Sequence, residues 1–76
     1  MTLLEASLGT EYELEQIALE APVQRRMEML GMTHHAKIRV LGRKKNGAVI
    51  FTVRGTRFAV GRRFAAGIYL GGREHE

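Results

Sequence analysis

Two histidines stand side by side, His34 and His35, in the stretch Met32-Thr33-His34-His35-Ala36. Paired imidazoles suggest metal ligation, but a stable transition-metal site takes three or four protein ligands. The chain has no cysteine, and its third histidine is His75, between Glu74 and Glu76 near the C-terminus. Adjacent residues of an extended strand project to opposite faces, so His34 and His35 cannot chelate one ion there. In a turn they can converge. The expectation is a pair of solvated turn histidines, with no dedicated metal site and no cofactor. Should Fe2+ or another divalent metal bind, His34 and His35 are the candidate ligands. Histidine titrates near neutrality, yet no partner charge for a pH-sensing role can be named from the sequence.

Catalytic chemistry has still less support. Glu11, Glu13 and Glu15 alternate and would share one face of a strand. Paired carboxylates do acid–base work when an apolar pocket raises one of them, whereas three on one strand face describe a solvated surface. Ser7 is the sole serine and stands in no recognisable nucleophile setting. The chain reads as a non-enzyme.

Binding chemistry is better represented. Twelve lysines and arginines against eight acids give a net charge of +4. The basic residues gather at Arg25-Arg26, at Arg43-Lys44-Lys45, and at Arg54, Arg57, Arg62 and Arg63. Such charge suits an acidic partner, a nucleic acid or an anionic lipid surface, or simply a solvated face. Nucleic-acid binders of this size interleave charge with stacking aromatics. Here Tyr12, Phe51, Phe58, Phe64 and Tyr69 mostly fall at core-phase positions, so no nucleic-acid partner is expected.

The elements that must position these residues are short. A length of 76 residues allows one domain. No apolar run approaches a membrane span, and the N-terminal stretch lacks the pattern of a secretory signal. A cytoplasmic protein without disulfides is expected. Tyr12 and Leu14 keep period two, and Ile17 and Leu19 continue it in the opposite phase, which predicts a strand with a bulge near Glu15-Gln16. Pro22 opens a helix to Leu30, with Val23, Met27 and Leu30 as its apolar stripe and Gly31 just past its end. Met29 falls beside Arg25, away from that stripe.

Ala36, Ile38 and Val40 then alternate with polar residues as a half-buried strand. Asn46-Gly47 signals a hairpin, since both residues tolerate positive φ. Residues 48–54 form the return strand, Gly55-Thr56 a second tight turn, Arg57–Val60 a third strand of this group. GRRFAAG makes a single helical turn, and Ile68–Leu70 a closing strand. The domain spans 1–70, and 71–76 is a flexible tail. The sum is a mainly β protein of about five short strands with one short helix inserted after the first, a partly open barrel.

In that order these segments resemble a known family. The run QRRMEMLGMTHHAKIRVLGRKKNGAVIFTVRGTRFAVGRRFAAGIYL is similar to the FeoA family, small cytoplasmic proteins of bacterial ferrous iron uptake with an SH3-like barrel. Arg25, Arg26, Met27, Leu30, Gly31 and Met32 match its basic helix and stop; Ile38 and Val40 match its strand; Val53-Arg54-Gly55, Ala66 and Ile68 match its end. Two places depart: His34-His35 stand where proline-glycine is usual, and Lys44-Lys45-Asn46-Gly47 where a proline-leucine-glycine-aspartate hairpin is common. The resemblance implies a non-enzymatic accessory protein that binds the cytoplasmic part of the FeoB transporter, at the inner face of the membrane. The contact it implies would use Arg25, Arg26, Met27, Met29 and Met32, with Met29 and Met32 as the exposed methionines. The alternative is a free-standing SH3-like domain of the metal-dependent repressor type, or a basic nucleic-acid-binding barrel.

Overall fold

A computed structural model describes residues 1–71. Five strands, β1 (Glu11–Ile17), β2 (Lys37–Arg43), β3 (Val49–Val53), β4 (Thr56–Val60) and β5 (Ile68–Gly71), form one antiparallel sheet in the order β4-β3-β2-β1-β5. Helix α1 (Ala21–Met29) follows β1, and a single turn, α2 (Arg62–Ala65), precedes β5. The strands alternate as their sequences require: Val49, Phe51 and Val53 are buried, Ile50 and Thr52 are not. Two register shifts, at Leu14/Gln16 in β1 and Val40/Gly42 in β2, bend the sheet around its core. The first is the bulge expected from the phase change, and it lets Tyr12, Leu14 and Ile17 all point inward.

The core is wholly apolar and includes two residues that strand periodicity leaves unassigned, Leu3 and Ala6. They belong to an N-terminal segment that runs along β5. Leu3 N–H donates to Ile68 O at 2.9 Å, and Leu70 N–H donates to Met1 O at 2.8 Å. Arg43, expected as part of a basic hairpin group, instead donates from Nη2 to the carbonyls of Leu3 and Ala6 and so holds this segment down.

Both hairpins fall where the sequence puts them, but the second tight turn sits at Arg54-Gly55, one residue before the expected Gly55-Thr56. At the β2–β3 hairpin only Gly47 takes positive φ, and Gly47 N–H donates to Lys44 O while Lys44 N–H donates to Ala48 O. This is a three-residue loop closed by a glycine bulge, with Asn46 using its side chain to accept from Ala48 N–H. The two consecutive positive φ values of a tight hairpin occur at Arg54 and Gly55, between β3 and β4. Gly71, placed in the tail by the sequence, pairs with Glu13 as the end of β5; the rest of the expected tail lies outside the described residues.

Candidate functional site

Helix α1 and the turn after it carry the residues singled out for contact. The helix has no side-chain cap; Pro22 sits in its first turn, where a missing N–H costs nothing. Its end is tightly specified. Gly31, at φ 108°, donates from N–H to Glu28 O, and Met32 N–H donates back to Met27 O at 3.0 Å. These paired bonds define a Schellman stop, which folds the residue after the glycine over the last inward-facing position of the helix.

That stop corrects two expectations. Met32, expected as an exposed contact, is 0% exposed and belongs to the core beside Met27. Leu30, expected in the buried stripe, is 54% exposed. The left-handed glycine reverses the chain, so Met32 takes the inward place that straight helical periodicity assigns to Leu30. Met27 is likewise buried and anchors the helix, while Val23 is half-buried against the core. What remains outward is Arg25, Arg26 and Met29, with Met29 84% exposed.

One arginine from elsewhere fixes this helix end. Arg54 reaches from the β3–β4 turn, donating from Nε to Gly31 O at 3.2 Å and from Nη2 to Thr33 Oγ1 at 3.3 Å. Its family motif, Val53-Arg54-Gly55, was legible in the sequence; its task was not.

The two histidines occupy the central positions of a turn from Thr33 to Ala36, closed by Ala36 N–H donating to Thr33 O at 2.9 Å. His35 has φ 73°, the left-handed value required at the third position of a type II turn. Proline then glycine is the preferred pair for those two positions, which explains what the resemblance puts there. The turn is pinned to β1 through His35 N–H to Leu14 O and Leu14 N–H to Ala36 O, both 2.8 Å.

The imidazoles stack, with centroids 3.9 Å apart and planes 20° from parallel. Near-parallel rings aim their nitrogens side by side rather than at one point. His35 Nδ1 lies 3.2 Å from Glu13 Oε1, so the partner charge missing from the sequence reading is Glu13, on a largely solvated surface. Among the described residues no three histidine or carboxylate side chains gather to hold a metal ion. His75, the third histidine, lies outside the described residues.

Fold and surface together define a small antiparallel SH3-like barrel whose outer face carries a rigidly stopped, basic helix. The model of the FeoA domain matches residues 1–70, and the chain belongs to the FeoA family. It is similar to the solution structure of FeoA from Chlorobium tepidum, with 30% identity and a TM-score of 0.86, over 100% of this chain and 76% of that one. It is similar also to Stenotrophomonas maltophilia FeoA complexed with zinc, described as an SH3-domain protein and proposed as a ferrous iron transport activating factor; identity is 27% and the TM-score 0.79, over 95% of this chain and 91% of that one. A manganese-dependent transcriptional repressor shares the fold at 18% identity and a TM-score of 0.83, over 93% of this chain and 40% of the repressor. Comparison with curated proteins gives no match.

Proposed function

We propose that this protein is a non-enzymatic accessory factor of ferrous iron uptake that binds the cytoplasmic part of a FeoB-type transporter through α1. The observation that carries this reading is Met29, an exposed methionine flanked by Arg25 and Arg26 on a helix whose end is locked by Gly31 and Arg54. Methionine and arginine are enriched at protein interfaces, and methionine adapts its shape to a partner. Met27 and Met32 support the surface from inside and touch no partner. Ferrous iron is the transporter's cargo in this reading. No helix of the described residues is long and apolar enough to cross a membrane. Any association with the membrane's inner face is, in this reading, through the transporter.

The test is a pull-down with the cytoplasmic part of the transporter. Arg25→Glu/Arg26→Glu and, separately, Met29→Ala are expected to weaken association about tenfold or more, as central interface residues do, while thermal unfolding stays unchanged. Undiminished association by the folded variants would sink the assignment. The shared repressor fold motivates one control, a salt titration with random duplex DNA. Strong, salt-steep binding would move the reading to nucleic acid.

A further inference from the structure

The two edges of the sheet are treated differently. The β5 edge is covered by residues 1–3, through the Met1 and Leu3 backbone bonds and a bridge between Thr2 and Tyr69. The β4 edge has no such cover: among the described residues, no backbone hydrogen bond reaches β4 from any segment but β3. Because Arg54-Gly55 is a two-residue turn, Val53 and Thr56 are its hydrogen-bonded closing pair. Antiparallel ladders alternate, so Phe58 and Val60 also face β3, and the N–H and C=O groups of Arg57 and Ala59 point outward.

The side-chain face next to that edge is basic. Arg57 pairs with Thr52, Thr52 with Arg39, and Arg39 with Glu11, one solvent-facing row across four strands. Beside the row a groove of about 500 Å³ is lined by Lys37, Arg39, Arg54 and Thr52, with Glu11 and His35. The Arg39 and Arg54 guanidiniums donate to neutral oxygens, Gly9 O for Arg39, so their charges are held in place.

We propose that the outer edge of β4 is a docking site for an extended, acidic segment of a partner protein, added as a sixth strand. Main-chain bonds to Arg57 and Ala59 would supply affinity, and carboxylates over Arg57 would supply selectivity. A charged residue on an open edge also discourages pairing between identical copies. A second copy of this chain, itself carrying +4, meets like charge there, whereas an acidic strand does not. This surface uses residues other than those of α1 and goes beyond the reading above.

The probe is a short synthetic peptide of alternating glutamate and valine, added to the isotope-labelled full chain. Hydrogen exchange at the Arg57 and Ala59 amides is expected to slow about tenfold or more, and a lysine–valine peptide should not bind. Ala59→Pro removes an outward N–H at an edge position where proline is tolerated. It and Arg57→Glu should each weaken the acidic peptide by about tenfold, with unfolding temperature little changed. Equal binding by folded Ala59→Pro, or unslowed exchange at the two amides with peptide bound, would overturn the proposal. So would a concentration-dependent dimer that Ala59→Pro abolishes, because the edge would then serve self-pairing.

Discussion

At the scale of the residue, His35 shows how a backbone demand can outweigh a side chain's chemistry. Its left-handed φ of 73° is the feature the turn needs, and glycine meets that need at least cost. Replacing His35 by glycine should therefore hold or raise the unfolding temperature. His35→Val puts a β-branched side chain into a left-handed conformation that such residues rarely adopt, which histidine tolerates better, and should lower it by several degrees. Equal melting of the valine variant and the wild type would refute the turn assignment. The exposed contact with Glu13 adds little, since such pairs are worth about 1 kcal/mol or less. With the stacked rings failing to converge, calorimetric titration with zinc should give no tight one-to-one binding. A tight isotherm lost in His34→Ala/His35→Ala would restore the metal reading.

At the scale of the element, the end of α1 separates two methionines that lie three positions apart in the chain. Met32→Ala removes a fully buried side chain and should cost about 2–5 kcal/mol in chemical denaturation. Met29→Ala should stay within about 0.5 kcal/mol, as surface changes do. Similar costs for the two would contradict the Schellman stop. Gly31→Ala tests the same device more directly. It forces a side chain into φ 108° and sets its Cβ 3.3 Å from Arg54 Cδ, so a loss of at least about 1 kcal/mol is expected.

At the scale of the whole molecule, the decisive arrangement is which edge of the sheet the chain covers with its own N-terminal segment. Leu3 is fully buried although it lies outside every strand and helix. Leu3→Ala should cost about 2–5 kcal/mol, a large share of the few kcal/mol that keep a domain of this size folded. A surface-like effect, below about 0.5 kcal/mol, would mean that residues 1–6 do not close the barrel in solution.

Much of this architecture was written in local pattern. The phase change in β1, the alternation of β2 and β3, the glycine after α1 and the single turn at GRRFAAG follow from rules that act over a few residues. The order of those pieces also carried the family resemblance. What local pattern could not supply were decisions made by contact between distant segments. Helical spacing puts Leu30 inward and leaves Met32 free; only the reversal at Gly31, held from outside by Arg54, exchanges them. Asn46-Gly47 and Gly55-Thr56 both look like tight turns, yet the consecutive left-handed residues fall at Arg54-Gly55, because the register of β3 against β4 sets Val53 opposite Thr56. Period-two and helical spacing describe which side of an element is apolar. They cannot say which segment covers it, or that β5 is capped by residues 1–3 while β4 keeps an edge open, because that choice is made only when the chain closes on itself.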